Sequence, residues 1–84
     1  MTDPTELDRQ VIALAERLER AGKWVSLDHR VREPVAAEVL GVTGRTLQRW
    51  REAGTGPAFV VLSRNVTYRV VDLLQWVESR RHAA

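Results

Sequence analysis

Cysteine is absent from all 84 residues. This excludes disulfides, zinc–thiolate centres and thiol catalysis, and it is compatible with a cytoplasmic setting. No apolar run approaches the roughly 20 residues that a membrane-spanning helix needs. The opening MTDPTELDRQ is acidic and polar, unlike a secretory signal. Histidine is scarce: His29 and His82 have no metal-ligand spacing, so no metal is expected. Ser26, His29 and Asp72 are far apart and carry no catalytic motif. Gly54 and Gly56 precede a hairpin pattern rather than a helix, so they do not form a phosphate-cradling loop. The stacking aromatics of common RNA-binding modules are not laid out. Repeats and low-complexity tracts are missing as well. No enzyme and no cofactor are expected from such a chain.

What is present fits one small domain with an appendage. A chain of this length buries only about 60% of its unfolded surface, and a hydrophobic content of 44% is enough for a modest core. Net charge is only +2, but it is unevenly spread. Residues 1–38 hold six bases against eight acids, whereas residues 39–84 hold seven bases against three acids. Local positive potential attracts a polyanion more than total charge does. Lys23 is the only lysine. Arginine suits bidentate contacts to guanine and phosphate, although a GC-rich genome gives the same bias.

A first helix is predicted over Pro4–Ala21. Asp3 serves as N-cap, Glu6 completes a capping box, and Gly22 is the stop. Leu7, Val11, Leu14 and Leu18 form a narrow apolar stripe with coiled-coil-like spacing. Two readings stay open: packing on the chain's own domain, or self-association and partner docking. The two units expected are residues 1–23, a helical extension, and residues 24–84, the main domain. Trp24–Val31 reads as a connector in which Trp24, Val25 and Leu27 anchor the first helix, and Asp28 and His29 form a plain surface pair.

Residues 34–52, PVAAEVLGVTGRTLQRWRE, carry the most information. A helix over Pro34–Leu40 presents Val35, Ala36, Val39 and Leu40 on one face, with small Ala36 and Ala37 permitting close helix approach. Gly41 permits the left-handed turn, Val42 plugs it, and Thr43 caps a second helix over Gly44–Ala53. At about 100° per residue, Leu47 and Trp50 fall on a buried side and Arg45, Gln48, Arg49 and Glu52 on the other. Arg and Gln form paired hydrogen bonds with guanine and adenine edges, so this is the pattern of a DNA-reading helix-turn-helix. Arg51 lies at the flank, placed for phosphate.

Ala58–Leu62 and Val66–Val70 read as strands joined by Ser63-Arg64-Asn65, with Asn65 taking the positive φ. Arg64 at the tip and Arg69 on the return strand would be wing contacts to backbone or minor groove. A last helix over Val71–Arg81 would close the core with Leu73, Trp76 and Val77. Asp72, Arg80 and Arg81 complement its dipole. The fold class expected is mainly α with a small β-hairpin: a winged helix-turn-helix with an extra N-terminal helix.

Over Val31–Arg81, VAAEVLGVTGRTLQRWREAG followed by GPAFVVLSRNVTYRVVDLLQWVESR resembles the MerR-like winged-helix proteins of the excisionase and AlpA type. The resemblance implies a helix-turn-helix in the major groove and a wing on the adjacent backbone or minor groove. It puts Arg45, Gln48 and Arg49 on the reading face, Thr43 and Thr46 at the start of that helix, and Arg64, beside Asn65, at the wing. Ser63 replaces a common Gly, and Thr67 a common basic residue, which makes the wing less charged than usual. It further implies a small cytoplasmic, nucleoid-associated protein of a phage or mobile element, which bends attachment-site DNA and steers an integrase. A transcription regulator, a packaging subunit with a similar domain, or an antitoxin-like interaction module are the alternatives.

Overall fold

Helical and alternating apolar spacings together produce seven elements in the computed structural model, which describes residues 4–82. They are α1 (Pro4–Arg20), β1 (Arg30–Arg32), α2 (Glu33–Leu40), α3 (Gly44–Glu52), β2 (Val60–Leu62), β3 (Asn65–Arg69) and α4 (Val70–Ser79). The expected Asp3 cap lies outside the described residues. The architecture is that of a winged helix-turn-helix: mainly helical, with α2 and α3 forming the motif and the β2–β3 hairpin forming the wing.

The sheet has three antiparallel strands in the order β1-β3-β2, one more than the expected hairpin. The added strand is Arg-Val-Arg, too short to stand out by alternation. It forms because Val31 pairs with Tyr68 and both point into the core, where neither is solvent-exposed. Around them pack Val11, Ala36, Ala37, Leu47, Val70 and Leu73. Ala36 and Ala37 are the small residues at the centre, against which α3, α4 and β3 converge.

The apolar stripe of α1 is directed inward. Val11 and Ala15 are buried, Leu14 and Leu18 pack on the core, and α1 lies along α4. The amides of Gly22 and Lys23 turn back to the carbonyls of Glu19 and Leu18 and end the helix. Two expected anchors do not hold. Leu27 is fully exposed at the tip of the turn between Ser26 and Arg30, and Trp24 is 42% exposed under the Arg32 guanidinium. Only Val25 of the three packs on the core. Likewise Val77 is 48% exposed, because α4 runs past the core there. Val70, at the helix start, is the buried residue instead.

The turn of the motif follows from two local features. Gly41 sits at φ 74°, which lets the amides of Gly41 and Val42 bond back to the carbonyls of Glu38 and Ala37. Thr43 is extended, and its hydroxyl accepts from the Thr46 amide at 3.1 Å, capping α3. Gly56 has a different reason: at φ 83°, a Cβ there would stand 3.0 Å from Cβ of Trp50. The glycine lets the loop after α3 lie against that indole.

Gly41→Ala places a side chain in the left-handed region without touching any exposed α3 residue. It is expected to lower the unfolding free energy by about 1 kcal/mol. Urea denaturation followed by circular dichroism checks this, and an unchanged midpoint would show that the turn does not need that conformation.

Candidate nucleic-acid interface

The amphipathic pattern of α3 determines what it presents. Leu47 is completely buried, and half-buried Trp50 rests on Trp76 with ring centroids 5.2 Å apart. These contacts fix the rotation of α3 and turn Arg45, Gln48, Arg49 and Glu52 outward, where the four border one shallow, open depression. Gln48 donates through Nε2 to Glu52 at 3.0 Å, leaving its carbonyl oxygen as an acceptor. Among the described residues, Arg45 and Arg49 have no acidic partner. At the helix start Thr43 and Thr46 are bonded to each other, hydroxyl to hydroxyl at 2.9 Å.

Arg51 departs from the expectation of a phosphate-facing flank. Its Nε and Nη2 donate to the two carboxylate oxygens of Glu33 at 2.9 and 3.2 Å, and Tyr68 donates its hydroxyl to the same carboxylate at 2.7 Å. Both charged side chains are about four-fifths buried. The Arg51 guanidinium holds the Glu33 carboxyl below its ordinary value, against the opposing effect of burial and with help from Tyr68. Glu33 in turn raises Arg51, and burial followed by Glu33 holds the Tyr68 phenol well above its ordinary range. Arg51 is thus committed to joining the end of α3 to the start of α2 and to β3. Neither Glu33 nor Tyr68 was legible as its partner, since they lie 18 and 17 residues away with no local spacing to mark them.

At the wing, positive φ falls on Ser63 (48°) and Arg64 (73°), not on Asn65. The hairpin register pairs Leu62 with Asn65, so only two residues form the loop. A two-residue loop matching the right-handed strand twist needs positive φ at both positions. Asn65 is therefore the first residue of β3, and Arg64 stands exposed at the tip. Arg69 is exposed at the far end of β3, directly opposite Arg30. Thr67, at the position where a basic residue was expected from the resemblance, is buried. Its hydroxyl donates to the Val60 carbonyl at 3.1 Å and accepts from Arg30 Nη1 at 3.2 Å. It holds the sheet together rather than facing a ligand.

The Arg30 side chain is neutralised in turn by Asp28, at 2.9 and 3.0 Å. The Ser26 hydroxyl and the Arg30 guanidinium bring the Asp28 carboxyl down to about 2. The pair expected between Asp28 and His29 is therefore replaced by one between Asp28 and Arg30. At the C-terminal end, Arg80 covers the Trp76 ring at 4.9 Å and Arg81 lies 3.4 Å from Glu78. The groups present are suited to hydrogen bonding and charge neutralisation. Among the described residues no group of three or more potential metal ligands comes together. Among the described residues no helix is long and apolar enough to cross a membrane.

Glu33 titrates below its ordinary 4.5, so its contribution to stability is full above that pH and is lost as the pH falls from there through the native value. Thermal unfolding between pH 6 and pH 3 is expected to show a steeper loss for the wild type than for Glu33→Gln. At pH 7 that variant should be less stable by about 2 kcal/mol. Parallel curves would mean that the Glu33 pairing contributes nothing to the fold.

Compared with known proteins, residues 34–81 match the model of a helix-turn-helix domain family. No curated protein and no solved structure matches the chain at a significant level.

Proposed function

The chain belongs to the helix-turn-helix domain family, and from that premise we propose that it is a non-enzymatic, sequence-specific binder of duplex DNA. The observation that carries this reading is the outer face of α3. Arg45, Gln48 and Arg49 share one open surface, and neither arginine is spent on an internal acid. In the major groove these three side chains would read base edges, with Thr43 and Thr46 at the helix start near the backbone. Arg64 and Asn65 at the wing, and Arg69 behind them, would neutralise phosphate or enter the minor groove. Arg51, bound to Glu33, would act by holding α3 in place.

The resemblance to excisionase and AlpA-type proteins favours an architectural role. In that role, several copies on neighbouring sites of a mobile element would bend attachment-site DNA and steer an integrase. Bending is how a factor with so small an interface changes the activity of a larger enzyme on the same DNA. A transcription-regulator or partner-binding role is the second reading. It is favoured by the open apolar groove that Leu14, Leu18, Val39, Leu74 and Val77 line between α1, α2 and α4.

Fluorescence anisotropy with duplexes from the attachment and promoter regions, compared with random duplex at two salt concentrations, tests the reading. Arg49→Ala is expected to relax preference at one base pair, by about 1–3 kcal/mol. Arg64→Ala is expected to weaken all sequences alike and flatten the salt dependence. Equal effects of the two variants on specific and random DNA would remove this division of labour. In a circularisation assay, a bound duplex that stays straight would count against the architectural role.

A further inference from the structure

The arginines that follow α1 sort into two sets. Arg30, Arg51 and Arg81 each contact a carboxylate. Among the described residues, Arg32, Arg45, Arg49, Arg64, Arg69 and Arg80 do not. Four of these six are already assigned to DNA, and Arg80 lies on Trp76 at the end of α4. Arg32 is the one left, and it lies on the outer face of the wing sheet.

Strand register defines that face. Arg30 is opposite Arg69 and Arg32 is opposite Thr67, while Val31 and Tyr68 alternate inward. Arg32 therefore shares its face with Arg30, Arg69 and Asn65, the last adjoining the wing tip. Three arginines stand on that face, and among the described residues Asp28 is the one acid bonded to any of them. Asp28 offsets the charge of Arg30 against the opposing Arg69, which leaves Arg32 and Arg69 on this face without an acid among the described residues. Arg32 is also fixed in pose. Its guanidinium lies 4.4 Å from the centre of the half-exposed Trp24 ring, an arrangement that leaves its N–H groups unused and its charge in place. Trp24, Arg30, Arg32, Leu62, Asn65 and Thr67 together line a concavity that continues to the hairpin tip.

We infer that this concave outer face of the wing sheet is a second phosphate-binding surface, with Arg32, held on Trp24, contacting the sugar–phosphate backbone of the duplex bound by α3. The inference rests on the DNA-binding reading. Arg30 acts by positioning: tied to Asp28 and Thr67, it keeps β1 against β3 so that Arg32 stays level with Asn65. Trp24 lowers the freedom that Arg32 would lose on contact, since a guanidinium already laid on a ring needs little further ordering.

A salt titration tests this, with specific and random duplexes and four proteins: wild type, Arg32→Ala, Arg32→Gln and Arg20→Ala. Arg20 is an exposed residue of α1 that does not line this concavity, and its removal makes the same change in net charge. Loss of one phosphate contact lowers the slope of log affinity against log salt by about 0.9, which corresponds to about fivefold weaker binding at 0.15 M salt. The expected result is that loss, equal on both duplexes, in both Arg32 variants and absent in Arg20→Ala, with unchanged circular dichroism. Trp24→Ala should reproduce part of it. Unchanged slopes in the Arg32 variants overturn the inference, as does an equal change in Arg20→Ala or a loss confined to the specific duplex. If Arg32→Ala unfolds, the Arg32→Gln protein decides by the same criteria. If Arg49→Ala loses specificity while Arg32 is silent, the reading helix stands and only the second surface falls. If the wild type binds neither duplex at low salt, both fall together.

Discussion

The bond between Glu33 and Arg51, closed by the hydroxyl of Tyr68, is the constraint on which the rest depends. Three elements meet there: the start of α2, the end of α3 and the middle strand of the sheet. Apolar packing and the turn set the angle between the two helices and, through Val31 and Tyr68, seat the sheet on the same core. A bidentate arginine–carboxylate pair has directional geometry, and a phenol on the same oxygen adds a third direction. Largely buried, the cluster is worth most when complete, because losing one member strands the charge of another. The two surfaces that a duplex would meet, the exposed face of α3 and the hairpin, are thereby held in one frame before any ligand arrives.

Charge in this chain is organised by pairing rather than by amount. A net charge of +2 in 84 residues would attract nothing in particular if spread evenly. Instead, acids before α3 are paired with specific bases: Glu33 with Arg51 largely out of solvent, and Asp28 with Arg30 and Glu38 with Lys23, the latter at 3.5 Å, near the surface. Among the described residues, what remains without an ionic partner on α3 and the hairpin is Arg45, Arg49, Arg64 and Arg69 against one acid, Glu52. The weakly positive total thus coexists with a more positive α3 and hairpin, and the long-range field of such a face would orient a polyanion approaching it.

Most of what was legible in the sequence is local. Gly41, Val42 and Thr43 lie within three residues and encode their turn with no help from elsewhere. Leu47 and the exposed set around Arg45 follow from one helical period. What was not legible depends on partners far along the chain. Three residues, Arg30 to Arg32, are too few for a strand pattern and become one only because Tyr68 waits 37 positions later to pair with Val31. Arg51 looked free because its acid lies in another helix. Asn65 was given the positive φ by residue preference, but the hairpin register moved that requirement to Ser63 and Arg64. Leu27 and Val77 looked like core by composition, yet one sits at a turn tip and the other beyond the end of the core. The exposed face of α3 was visible and its scaffold was not, since exposure follows from a period and support follows from tertiary contact.

The pairing of β1 with β3 has a topological consequence. Between these strands run α2, the turn, α3 and β2, so both helices of the motif are threaded inside a loop whose base is closed by three residue pairs. Closing a loop of that length costs entropy that grows only slowly with its size, but the cost must be met before the strand contacts form. The sheet therefore acts as a clasp: α2 and α3 gain their fixed orientation together with the wing, in one cooperative step. The closure that sets α3 in place is thus the same one that positions the β2–β3 hairpin.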